Sequence, residues 1–173
     1  MSKLPILLYP DPRLHTVAAV VAQVNEEILK LINDMGETMY AAPGVGLAAT
    51  QVDVHRRVIV IDTSPTRDQL TAYINPEIVE ASGDANCEEG CLSVPGVYEK
   101  VKRAQRIRVR ALGVEGKVFE RDAEGLQAVC IQHEMDHLDG KVFVDKLSRL
   151  KRERILGKIK KRQRDAAADK SLK

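Results

Sequence analysis

The 173-residue sequence contains no tryptophan, and its phenylalanines and tyrosines make up only 3% of the chain. Aliphatic side chains must therefore build the interior. The aromatic stacking platform of a single-strand nucleic-acid binder is missing, so no specific nucleic-acid partner is expected. Cysteine is scarce too: Cys87, Cys91 and Cys130 form an odd set, a poor basis for a disulfide framework. No apolar run approaches the roughly 20 residues of a membrane span. The opening Met1-Ser2-Lys3-Leu4-Pro5-Ile6-Leu7-Leu8-Tyr9-Pro10 is too short and too proline-broken for a secretory h-region. A cytoplasmic chain with reduced thiols and no membrane partner is the expectation.

What remains describes one ordinary domain, 44% hydrophobic and 30% charged, long enough to bury a substantial core. The net charge of +2 hides a split. From Lys146 onward, 12 Lys/Arg face 3 acids, whereas the preceding residues carry 15 against 22. The body is acidic and the C-terminal arm is strongly basic. Charge runs of this kind commonly belong to a solvated helix face.

Leu4–Tyr9 reads as a short edge strand closed by the Tyr9-Pro10-Asp11-Pro12 turn. Asn25 is placed to cap a helix through about Tyr40, whose apolar face is Ile28, Leu31, Ile32, Met35 and Met39. Pro43 and Gly44 end it. Gly44-Val45-Gly46-Leu47-Ala48-Ala49 fits a dinucleotide fingerprint, but the helix precedes it and the strand follows, the reverse of a Rossmann crossover. A backbone passing close to another element explains the two glycines better. Gln51 ends this small-residue segment with an amide able to donate inward.

Arg57–Ile61 reads as a buried strand, and Ala72–Val79 as another, interrupted at Asn75-Pro76. Val97, Glu99, Val101 and Arg103 alternate with Tyr98, Lys100 and Lys102. Ile107, Val109 and Ala111 alternate with Arg106, Arg108 and Arg110, which predicts an antiparallel strand with a solvated basic face. Gly113–Gly116 is a hairpin turn and Lys117–Arg121 the return strand. Asp145 or Ser148 is placed to cap a last helix with Val144, Leu147, Leu150, Ile155, Leu156 and Ile159 on its apolar face. The expected fold is α+β, with antiparallel sheets around a central helix, an N-terminal helix and a C-terminal helix. Residues 1–159 form the expected single catalytic domain and 160–173 a basic tail.

The central helix carries Gln132-His133-Glu134-Met135-Asp136-His137. Asp122 or Glu124 supplies its N-terminal acid, Leu126, Val129, Cys130 and His133 share a stripe, and Gly140 sits at its stop. Positions four apart lie about 40° from each other around a helix, so His133 and His137 can reach one divalent metal. Glu134 projects to the side, where a general base for water belongs. A catalytic site needs a third protein ligand and one open position. The histidine that a metzincin requires is replaced by Phe143. Glu153, which a thermolysin-like endopeptidase would use, stands among Lys151, Arg152 and Arg154. Cysteine remains: Cys91, beside Gly90, is a better candidate than Cys130, which packs as a small hydrophobe, or Cys87.

Gly44–Gln51, Glu89-Gly90-Cys91-Leu92-Ser93 and the His-Glu-x-x-His segment together resemble the three motifs of peptide deformylase, in order and spacing. The resemblance covers nearly the whole chain. It implies removal of the formyl group from the N-terminal formyl-methionine of nascent chains, with Cys91, His133 and His137 as metal ligands and Glu134 as general base. It further implies that Gln51 and the Leu92 N–H hold the oxyanion, and that Val45, Gly46, Glu89, Leu92, Leu126 and Val129 frame the substrate groove. The metal would be ferrous iron in the cell, with zinc, nickel or cobalt in purified protein, and the basic helix would contact the ribosome. Some members have an arginine near the position of Tyr98 that grips substrate, a pattern from which this chain departs, and Cys87 has no counterpart in the motifs. A small zinc endopeptidase and a ribosome- or RNA-binding module with a structural metal are the alternatives.

Overall fold

The computed structural model describes residues 3–171. Five strands form one antiparallel sheet: β1 (Gly46–Ala48), β2 (Val58–Ile61), β3 (Thr71–Ser82), β6 (Arg106–Leu112) and β7 (Val118–Glu124), in the order β1-β2-β3-β6-β7. β4 (Ala85–Cys91) and β5 (Val94–Arg103) form a separate two-stranded sheet. Three α-helices complete the fold: α1 (Glu26–Ala41), α2 (Gly125–Leu138) and α3 (Arg149–Ser171). This is the expected α+β architecture.

Every residue of β2 is buried because the sheet is covered on both faces. Val58 and Val60 pack with Ile28, Ile32, Met35 and Met39 of α1, and Ile59 and Ile61 with Ala128, Ile131 and Leu138 of α2. A period of two sends alternate side chains to opposite helices, so a strand between two layers is apolar throughout. α2 is enclosed on most sides, which explains why its apolar residues extend beyond one stripe. A third cluster lies under β4 and β5, where Val94, Val97 and Val101 meet Phe143, Val144 and Ile155.

Asn25 caps α1 as predicted, its Oδ1 accepting from Ile28 N at 3.1 Å. The interruption at Asn75-Pro76 is a register shift between Ile74 and Glu77. The arginine face of β6 is solvated and paired across strands: Arg108 with Asp122 and Glu80, Arg110 with Glu120.

The structure revises local expectations at four places. Leu4–Tyr9 joins no sheet. Leu7 N instead donates to Gln51 O at 2.7 Å and Tyr9 N to Ser93 O at 2.8 Å, so this segment bridges two loops. β7 runs on to Glu124, so Asp122 pairs with Arg108 on a strand, and of the two expected acids it is Glu124 that stands at the N-cap of α2, without a side-chain cap bond. Leu126 is mostly exposed, lining a surface groove rather than the core. Val144 lies in the 3-10 turn Phe143–Lys146 and Leu147 just after it; Asp145 Oδ2 accepts from Val142 N and so closes that turn, which leaves the cap of the last helix to Ser148, whose Oγ accepts from Lys151 N at 3.5 Å. The last helix begins at Arg149. The final two residues of the expected 160–173 tail lie outside the described residues.

Candidate metal centre

Cys91 stands at the end of β4, where it pairs with Val94 across the two-residue turn Leu92-Ser93. His133 and His137 face that turn from α2. One ligand atom each from Cys91, His133 and His137 lies within 4.8 Å of the other two, and Cys91 Sγ is 3.3 Å from His137 Nε2. Forty-six residues of sequence separate the sulfur from that nitrogen. One thiolate and two imidazoles suit a divalent transition metal, and three protein donors leave the open position of a catalytic site. Burial and His133 hold His137 well below the usual histidine range, which leaves a neutral ring able to ligate. Burial also disfavours charge on His133, but Cys91 and Glu89 outweigh it and raise that ring.

The ring of His133 is held from behind. Its Nδ1 lies 2.8 Å from Glu89 Oε2, which leaves Nε2 for a metal. Arg103 grips the same carboxylate with two bonds, Nε to Oε1 at 2.7 Å and Nη2 to Oε2 at 2.9 Å. Its Nη1 reaches Asp136 Oδ2 at 2.5 Å, and Lys146 joins at 3.2 Å. Burial opposes ionisation of Glu89, but Arg103 and His133 outweigh it and hold the carboxyl at about 2. Sequence reasoning placed Glu89 in the groove and overlooked Arg103. The available signal was a charged residue on the inward side of the Val97–Val101 alternation.

Glu134 is buried beside the ligands, with Oε2 lacking a hydrogen-bond partner among the described residues. Burial lifts its carboxyl to about 7, with His133 pulling it partly back. β1 crosses directly over it. A Cβ on Gly46 would stand 2.6 Å from Glu134 Oε1 and 2.7 Å from Cys130 Sγ, which is the close approach that the two glycines predicted.

Gln51 is buried in the 3-10 turn after β1. Its Oε1 accepts from Ala48 N at 2.8 Å, which fixes the amide so that Nε2 faces Ser93 Oγ at 3.1 Å and Cys91 Sγ at 3.6 Å. The N-terminal bridge to Gln51 and Ser93 ties this turn to the Cys91 hairpin.

A groove of about 680 Å³ opens over the centre. Val45, Gly46, Glu89, Leu92, Leu126 and Val129 all line it, together with Cys91, His133 and Glu134. The exposed Tyr98 lines it too and lies against Gly90. Cys130 sits in its wall with the thiol pushed up by burial, its Sγ directed to Val45 O at 3.6 Å. Neither Cys130 nor Cys87 joins the ligand cluster. Glu153 is exposed and bonded to Arg149 at 2.8 Å on α3, which removes the ligand that the endopeptidase alternative needs.

A sequence model of the polypeptide deformylase family matches residues 3–153. The chain is 62% identical to peptide deformylase 2 of Nitrosomonas europaea over 164 residues, which covers 95% of this chain and 89% of the relative. It is 57% identical to the peptide deformylase of Chromobacterium violaceum, covering 95% and 98%. A crystal structure of a peptide deformylase from Legionella pneumophila superimposes with a TM-score of 0.91 at 48% identity, covering 96% of this chain and 98% of that one. The peptide deformylase from Ehrlichia chaffeensis in complex with actinonin gives a TM-score of 0.91 at 42% identity, covering 95% and 99%.

Proposed function

This chain belongs to the polypeptide deformylase family, and from that premise we infer how its groove removes the formyl group from formyl-methionyl nascent peptides, releasing formate. The observation that carries the reading is the convergence of Cys91, His133 and His137, with the Glu134 carboxyl beside them. Cys91, His133 and His137 would hold one divalent ion, which supplies Lewis acidity at an open position when bound.

The remaining work belongs to the chain. Glu134 takes a proton from the attacking water and later delivers it to the amide nitrogen as the C–N bond breaks. Formate and the free methionyl amine are the products. A carboxyl near 7 suits both directions of transfer. Gln51 Nε2 and the Leu92 N–H would hold the oxyanion. The fixed orientation of the Gln51 amide and the place of Leu92 in the turn after Cys91 support this. Gln51→Leu should keep metal yet lose about 10²–10³ of kcat, the effect of removing one such donor. Retention of kcat would remove Gln51 from this role.

Methionine would seat between Val45, Leu126 and Val129. The tight crossing of Gly46 over Glu134 supports a formyl hydrogen, but no acetyl methyl, fitting at the reacting carbon. Formate release from a formyl-methionyl peptide, beside no turnover of its N-acetyl counterpart, tests the reading. Ferrous iron is proposed as the cellular metal, with zinc, nickel or cobalt as substitutes, because the thiolate and imidazole donors accept all four. Metal analysis of anaerobically purified protein checks this.

The exposed Lys158, Lys160 and Lys161 on α3 support ribosome contact by the basic arm, with residues 1–159 as the catalytic unit and 160–173 as the tail. Reversing those three charges to glutamate should abolish co-sedimentation with ribosomes, and wild-type binding should weaken steeply with salt. Equal binding by the variant would leave the arm out of it. A cytoplasmic location fits a thiolate ligand. Among the described residues, no helix is long and apolar enough to cross a membrane.

A further inference from the structure

The C-terminal helix reaches the edge of the substrate groove. In the β4–β5 ladder, Glu89 pairs with Glu99 and Cys91 with Val94, so Pro95–Tyr98 stand opposite the single residue Gly90. Pro95, Gly96 and Tyr98 of this bulge line the groove. α3 is anchored beside it. Ile155 is buried in the cluster that holds Val94, Val97 and Val101, Leu156 and Ile159 pack against that cluster, and Lys151 Nζ meets Glu99 Oε2 at 2.6 Å.

From the next turn of α3, Arg162 Nη1 donates to Pro95 O at 2.8 Å. The guanidinium then covers Gly96, where a Cβ would lie 2.8 Å from Nη1 and 3.1 Å from Nη2. Gly96 has φ of +70°, a conformation that favours glycine, so the notch that admits the guanidinium is set by the backbone. The bond to Pro95 uses one of five N–H donors, and the side chain is exposed. Arg162 stands behind Pro95 and Gly96 at the rim, and the acids that line the groove are Glu88, Glu134 and Glu89, the last paired with Arg103. At the bulge end, Arg162 therefore offers a negatively charged group a charge-assisted partner.

We propose that Arg162 is a substrate-binding residue that receives a carboxylate of the peptide beyond its formyl-methionine. The carboxylate can be an acidic side chain or the C-terminus of a short peptide. The planar fork of a guanidinium suits either. The proposal rests on the deformylase reading and extends it to downstream preference, with the C-terminal helix as part of the groove.

The test measures formate release by the full-length, metal-loaded protein and by R162Q and R162K. One arm compares formyl-Met-Ala-Asp amide with formyl-Met-Ala-Asn amide. The other compares the free acid and the amide of formyl-Met-Ala-Ala. R162Q should lower the acidic-to-neutral ratio of kcat/KM by about tenfold in one arm, through KM, as expected for one charge-assisted hydrogen bond. The arm affected identifies which carboxylate binds. R162K should restore part of the ratio, and added salt should erode it in the wild type. A ratio unmoved in both arms overturns the proposal. So does an equal loss on acidic and neutral peptides, the mark of a bulge merely held in shape. If the wild type releases no formate from the neutral amides, the deformylase reading itself fails and this proposal falls with it.

Discussion

Glu134→Gln lowers kcat by about 10²–10⁴-fold, the usual contribution of a positioned general base, while metal content and fold are retained. The amide matches the carboxylate in shape but cannot accept and return the proton. The crossing of β1 packs Gly46 against this side chain and helps hold it in place, since a Cβ there would stand 2.6 Å from Glu134 Oε1. Single-turnover formate release and metal analysis of the same preparation check this. A variant with half the wild-type kcat would move the base elsewhere.

The same substitution should raise stability. Burial shifts the Glu134 carboxyl from 4.5 to about 7, so the folded chain holds this proton more tightly than the unfolded one. The contribution to stability is then fully present below the unfolded value and is lost as pH rises through about 7. Glutamine has no such loss. Compared as metal-free proteins, the variant should melt above the wild type at about pH 8, with the gap closing toward about pH 4. An equal gap at both values would show that Glu134 is not disfavoured by burial. A buried carboxyl lifted to about 7 is stability given up at neutral pH.

Arg103→Leu should have the second large effect, on folding and metal affinity together. Arg103 and Glu89 are almost fully buried, so losing the guanidinium leaves a carboxylate facing His133 without its bidentate partner. Breaking a buried pair in this way costs about 3–5 kcal/mol. Misplacing a partner of a ligand histidine weakens metal binding about 10–100-fold. Denaturant melts and competition with a chelator measure the two losses separately. The double variant Arg103→Leu/Glu89→Gln should recover much of the stability, because a neutral amide needs no counter-charge, yet keep the weakened metal affinity. If Arg103→Leu alone leaves both quantities near wild type, Glu89 does not depend on it.

The two predictions fall on opposite sides of what could be read in advance. Glu134 was legible because His133, Glu134 and His137 lie within five residues, where helix geometry sets their relation. Arg103 was not. Its partners Glu89 and Asp136 are 14 and 33 residues away, and local pattern does not report which distant strand or helix a side chain meets. Arg162 is harder still, because its contact with Pro95 spans 67 residues and sits on a helix whose apolar face fades before it.

Taken alone, the sequence determined the features governed by near neighbours. These include the Asn25 cap, the alternation that sends Ile107 and Val109 inward, the two histidines on one helical face and the glycines that let β1 pass close to α2. Resemblance across three motifs pointed to Cys91, but spacing alone could only rank it above Cys87 and Cys130. The tertiary structure decided that the hairpin tip meets α2, that Leu4–Tyr9 bridges the loops of Gln51 and Ser93 without joining a sheet, and that Glu89 turns behind His133. The physical reason is one of range. Turn, cap and periodicity energies act over a few residues, whereas a ligand set, a buried ion pair or a groove wall exists only once chain packing has brought distant residues within bonding distance.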